Sequence, residues 1–216
     1  MADRVKGILF DMDGVLFDTE RLTTEAWVKA AAEWELDLPV SFINSYKGQN
    51  LRVRTQLYLE RFGMDFPYKK FREKKTEYME ADIAKNGLPV KPGVYELLKY
   101  AKEHRIQLAV ATSTSRKTAE RYLKQTGIYE YFQAVVYGDT VEASKPEPDI
   151  YLEAARRVGV DSKDCLVIED SPAGILAGYH VGAKVIHIPD QVQVTDDVLN
   201  RTYKVCENLT EVIDLL

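Results

Sequence analysis

Residues 5–15 read VKGILFDMDGV. A short apolar run ends abruptly in Asp11, Asp13 and Gly14, residues that carry charge or turn the chain. This predicts a buried strand over 5–10 that delivers two carboxylates, one residue apart, to its end. Four later runs repeat the pattern: 106–111 stops at Thr112 to Ser115, 134–137 at Gly138 and Asp139, 165–168 at Glu169 and Asp170, and 184–188 at Pro189. Between them, 94–102, 116–125, 149–158 and 173–181 have helical spacing. Strands alternating with helices predict an α/β fold, a Rossmann-like parallel sheet with helices on both faces and right-handed crossovers. Ligands gather at the carboxyl ends of such strands.

The stretch from about 18 to 88 departs from this alternation. Helical patterns at 19–34, 41–46, 51–62 and 67–84 follow one another with no convincing strand, punctuated by Pro39, Gly48, Gly63 and Pro67. The expected organisation is an α/β core over 1–16 and 89–216 with a small all-α cap domain, 17–88, inserted after the first strand. Gly87, Pro89, Pro92 and Gly93 mark the return to the sheet, and two connections passing there form a natural hinge.

Composition narrows the function classes. The chain has 216 residues, 45% hydrophobic and 29% charged, values of a protein that buries a real core. Its 29 Lys and Arg against 34 Asp and Glu leave a net charge of -5, and there is no long basic run to displace the counterions of a polynucleotide. No apolar stretch approaches the roughly 18 residues that span a bilayer, and no signal-peptide pattern is read at the start. Cys165 and Cys206 stand in apolar surroundings outside any CxxC pair, as buried reduced thiols do. The expected protein is a cytoplasmic monomer that engages neither nucleic acid nor membrane.

Four stations carry candidate chemistry. Asp11, projecting from a strand end, is placed to attack phosphorus as a carboxylate nucleophile. Asp13 can protonate a leaving oxygen and later deprotonate a water. Taken alone, Asp-x-Asp-Gly is as often only a turn. Thr112 and Ser113 offer a hydroxyl and backbone N–H groups for phosphate oxygens, although helix capping alone also accounts for such a cluster. Lys145 lies in SKPEP, residues 144–148, where two prolines stiffen the backbone and aim the side chain. A lone lysine is otherwise a solvated charge. Glu169 and Asp170 are adjacent hard-oxygen donors of the kind that hold Mg2+; acids decorating a helix N-terminus are the plainer reading. Electrostatics links the stations. Like charges about 4 Å apart repel by about 4 kcal/mol at an effective dielectric near 20, so these acids and a phosphate dianion require a divalent cation and Lys145 together.

FDMDGVLFDTE at 10–20, Ala111 to Ser113, SKPEPDIY at 144–151 and VIEDSPAGILAG at 167–178 occur in that order along the chain. With these motifs the sequence resembles the haloacid dehalogenase-like hydrolases, in the subgroup with a helical cap between the first two strands. The resemblance covers essentially the whole chain. It implies Asp11 as nucleophile and Asp13 as acid and base, with Mg2+ held by Asp11, the Asp13 carbonyl and Asp170. Glu169 assists directly or through water. Thr112, Lys145 and backbone groups near Ser113 bind the transferring phosphoryl. An acid at Asp13 argues against the dehalogenase branch.

The expected function is a Mg2+-dependent phosphatase acting on small phosphate monoesters, sugar phosphates or nucleoside monophosphates, through an aspartyl-phosphate. The alternatives are a β-phosphoglucomutase-type phosphosugar mutase and a non-catalytic phosphate-binding regulator. Mutases of the family carry a histidine where this chain has Thr23 and an arginine where it has Leu51, with Arg52 next to it as a partial substitute. This departure favours hydrolysis. Glu20, Thr23, Gln49, Asn50 and Arg52 are the candidate specificity residues of the cap, though polar residues on a small helical domain are mostly solvated.

Overall fold

The computed structural model describes residues 5–47 and 51–216. The described chain divides into two compact units, Thr19–Leu88 and the remainder, 5–18 with Pro89–Leu216.

The larger unit is a six-stranded parallel sheet. Its strands are β1 Gly7–Phe10, β2 Gln107–Thr112, β3 Ala134–Tyr137, β4 Cys165–Glu169, β5 Lys184–His187 and β6 Lys204–Val205, in the order β3-β2-β1-β4-β5-β6. The chain leaves β1 in one direction to build β2 and β3, then returns to lay β4 on the other side of β1. Reversal at β1 makes the carboxyl ends of β1 and β4 the switch point of the sheet, the place where such sheets bind ligands. The register brings the ends level, with Phe10 paired to both Val110 and Ile168.

The central strands are buried on both faces, which is why they read as continuous apolar runs. Leu9, Ala109, Ala111 and Val167 meet Ile150, Tyr151, Ala154 and Ala155 of the helix Asp149–Val158 and Ile175 and Ala177 of the helix Pro172–His180. Phe10 points to the opposite face, its ring edge-on to Phe132 at 5.8 Å, and the helix Val94–Glu103 packs beside β2. Ser171 caps the helix Pro172–His180 by accepting from Gly174 N at 3.1 Å, with Pro172 in the first turn where its missing N–H costs nothing.

The sequence reading misses β6, because both of its residues are exposed and supply no apolar run. β2 and β4 each run one residue past their apolar stretches, so Thr112 and Glu169 are the last residues of strands. The two passages linking the units are paired at their bases. Phe17 bridges Val90, Asp18 N donates to Pro89 O at 3.0 Å and Lys91 N to Leu16 O at 3.0 Å.

The smaller unit consists of the helices Thr19–Glu33, Val40–Ser45, Leu51–Phe62 and Tyr68–Asn86. Its core is aromatic: Trp27, Tyr46, Tyr58, Tyr68 and Phe71 are buried together, and the Tyr46 and Tyr58 hydroxyls are 2.7 Å apart. Among the described residues, no helix is long and apolar enough to cross a membrane.

Candidate active site

Asp11 is the first residue after β1, and its N–H donates to Ile168 O at 3.0 Å, which locks it to β4. Lys145 reaches it from a loop 134 residues further along the chain. The Lys145 ammonium has three protons to donate. They go to Asp11 Oδ1, to Ala111 O at 3.0 Å and to Glu169 Oε1 at 2.7 Å, while the ammonium lies 4.8 Å from the centre of the Tyr151 ring. Its side chain is 6% exposed, so the cation is held in one position by strand ends on both sides.

Glu169 is fully buried, and five donors surround its carboxylate. Oε1 accepts from Lys145 and from the Tyr151 hydroxyl at 2.7 Å; Oε2 accepts from Asp170 N at 3.1 Å, Ser171 N at 3.2 Å and Ser171 Oγ at 3.0 Å. Gly174 makes this possible, since a Cβ there would stand on the carboxylate itself. Asp170 is buried beside Gly14, whose φ of +86° and lack of a side chain let the β1 loop fold against it; a Cβ on Gly14 would come 2.7 Å from Asp170 Cγ. Carboxylate oxygens of Asp11, Glu169 and Asp170 lie within 4.8 Å of one another.

Burial is the leading influence on these groups. It pushes the Asp11 carboxyl up to about 8, against the pull of Lys145. At Glu169 burial also acts upward, but Lys145 and the surrounding donors outweigh it and hold the carboxyl below its ordinary range. Burial would strip the proton from Lys145, yet Asp11 and Glu169 overcome it and keep the ammonium charged. The Lys145 ammonium pairs with Asp11 and Glu169, and Asp170 adds a third buried carboxyl group to the cluster. Their hard oxygen donors, within 4.8 Å of one another, suit a divalent cation such as Mg2+.

The expected stations thus meet in part through contacts not foreseen in the sequence. Asp13 is half-buried, and its Oδ2 accepts from Thr114 Oγ1 at 2.6 Å. Thr112 is fully buried and its hydroxyl accepts from Thr114 N at 3.0 Å, which tightens the β2 loop; Ser113 is exposed at its tip. Thr114 and Tyr151 had no assigned role. A tyrosine at helical spacing looks like core, and one hydroxyl among the four of Thr112 to Ser115 is not distinguished by type.

Glu20, Thr23 and Arg52 belong to the helical unit. Glu20 lies 3.8 Å from Lys47 Nζ, the Thr23 hydroxyl donates to Met79 Sδ at 3.5 Å, and Arg52 is exposed. Gln49 and Asn50 lie outside the described residues.

The family model of the haloacid dehalogenase-like hydrolases matches residues 8–188. The chain belongs to that family. It is accordingly a hydrolytic enzyme, and its relatives include phosphatases. The phosphorylated carbohydrates phosphatase of Thermotoga maritima is 32% identical over 183 residues, covering 85% of this chain and 84% of the relative. Fructose-1-phosphate phosphatase YqaB of Escherichia coli is 29% identical over 188 residues, 87% of this chain and 98% of the relative. Among solved structures, CbbY from Rhodobacter sphaeroides in complex with phosphate superposes with a TM-score of 0.80 at 27% identity, over 96% of each chain.

Proposed function

We propose that this hydrolase is a Mg2+-dependent phosphatase of small phosphate monoesters, sugar phosphates or nucleoside monophosphates, with Asp11 as nucleophile. The observation that carries this reading is the clamped Lys145. A buried ammonium bonded to Asp11 on one side and to Glu169 on the other holds the nucleophilic carboxylate in one direction at the mouth of the sheet.

Asp11, Asp170 and the Asp13 carbonyl would hold the cation. Bound there, Mg2+ supplies the charge that lets a phosphate dianion approach a carboxylate. Glu169, with five donors already on its oxygens, supports the site by fixing Lys145 and the loop of Asp170 rather than by direct ligation. Asp11 attacks phosphorus in line with the ester oxygen. As that bond breaks, Asp13 gives its proton to the departing alkoxide, leaving an aspartyl-phosphate. Asp13 then takes a proton from water, whose oxygen attacks phosphorus and releases phosphate and free Asp11. Thr114 holds the Asp13 carboxylate in place, and Lys145 balances charge on the transferring oxygens. We assign Thr19–Leu88 the part of the cap domain, with Glu20, Thr23, Gln49, Asn50 and Arg52 as specificity candidates. Thr23 supplies no imidazole for a mutase's proton transfers, which supports hydrolysis over isomerisation.

The test is a panel of phosphate monoesters assayed for inorganic phosphate with and without Mg2+. Release that needs Mg2+ and vanishes in Asp11→Asn is the expected result. No release from any member sinks the phosphatase reading. Conversion of β-glucose 1-phosphate into glucose 6-phosphate without free phosphate, given a trace of the bisphosphate, replaces it with the mutase.

A further inference from the structure

Beyond β5 the chain places a further acid beside the site. Ile188 N donates to Glu169 O at 2.8 Å, and two residues later Asp190 reaches back toward Gly14. Lys91 Nζ donates to Asp190 Oδ1 at 2.9 Å, and the Asp190 side chain is only 7% exposed. Its other oxygen, Oδ2, is buried and receives no hydrogen bond among the described residues. A Cβ on Gly14 would lie 3.2 Å from that oxygen and 2.7 Å from Asp170 Cγ, so the bare glycine is what leaves room for both carboxyl groups beside it.

An unmet carboxylate oxygen in a buried setting is costly, and folded proteins keep such groups where water or an ion completes them. Lys91 cannot be the whole explanation, because it satisfies one oxygen and leaves the other aimed across Gly14. Mg2+ retains several waters when bound by few carboxylates, and those waters are strong donors. Groups that receive bonds from the metal's own ligands orient the site and tune its affinity.

We infer that Asp190 is a positioning residue for the cation site: Oδ2 accepts from water carried by the cation at Asp170, while Lys91 anchors Oδ1. Lys91 is itself fixed to the base of the linking passages through its N–H to Leu16 O at 3.0 Å. This inference rests on the proposed Mg2+ site.

The test is calorimetric titration of the full-length, metal-free protein with Mg2+, together with the rise in Tm that Mg2+ produces. Asp190→Asn keeps the shape and an acceptor for Lys91 but turns an amide donor toward the water, so the Mg2+ Kd is expected to rise about tenfold to a hundredfold and the Tm rise to shrink. Should that variant fail to fold, Lys91→Met keeps the carboxylate but frees it, and a Kd weakened about threefold to tenfold is expected. A folded variant whose Kd stays within about twofold of the parent's overturns the inference and leaves Asp190 as a structural partner of Lys91. A parent protein that binds no Mg2+ overturns the metal reading itself, whereas a binding parent with an unaffected variant overturns only the role of Asp190.

Discussion

The Glu169 carboxylate occupies the volume that a side chain on Gly174 would fill. The nearest atoms are the whole carboxylate group, Oε1, Cδ and Oε2, and its oxygens are already fixed by Lys145, Tyr151 and Ser171, so it cannot give way cheaply. Gly174→Ala is therefore expected to lower stability by about 1–3 kcal/mol, the usual scale of overpacking. Displacing Glu169 also frees Lys145, and kcat should fall about a hundredfold, as misplacement of a catalytic group by an ångström does. Urea unfolding and steady-state kinetics on the same preparation measure both; unchanged kcat in a destabilised variant would separate Glu169 from the chemistry.

Tyr151 contributes two separable things, a hydroxyl on Glu169 Oε1 and a ring face under Lys145. Tyr151→Phe removes only the first. The loss of a buried bond to a charged acceptor should cost about 1.5–3 kcal/mol in denaturant titration. Tyr151→Leu, which also removes the ring, should cost more by about 0.5–2 kcal/mol, the range of cation–π contacts. Equal losses would mean that the ring contributes nothing to holding Lys145.

Thr114 Oγ1 donates to Asp13 Oδ2 at 2.6 Å. Thr114→Val keeps the shape and deletes the bond, so kcat should fall about tenfold with KM little changed, whereas Thr114→Ser should keep most of the parent rate. A Ser variant as slow as the Val variant would show that the methyl group, not the hydroxyl, is what matters.

Both cysteines are free and buried. Burial pushes the Cys165 thiol up to about 12, with Asp164 and Asp161 adding to the shift. A raised thiol favours the neutral form in the folded protein. Its contribution to stability is intact below the ordinary value of 9.0 and is lost as pH rises through about 12. At pH near 8 the native protein should react with a thiol reagent far more slowly than the urea-unfolded chain, with both cysteines released on unfolding. Rapid native labelling of Cys165 would contradict its burial.

What the sequence determined by itself was the alternation of apolar runs and helices, and the acids and lysine set at the ends of those runs. Parallel strands buried on both faces are continuous in hydrophobicity, and prolines and glycines punctuate the helices, so elements such as 116–125 and 149–158 were legible to the residue. The family was legible too, since its motifs are local. Tertiary structure decided which of these groups share protons and volume. That Lys145 spends all its donors on Asp11, Ala111 and Glu169, that Glu169 is saturated by five donors, and that Asp170 and Asp190 both come up against Gly14 are matters of distance between residues far apart in the chain. Side-chain type specifies what a residue can donate or accept; only the packed sheet ends determine which partner is within reach.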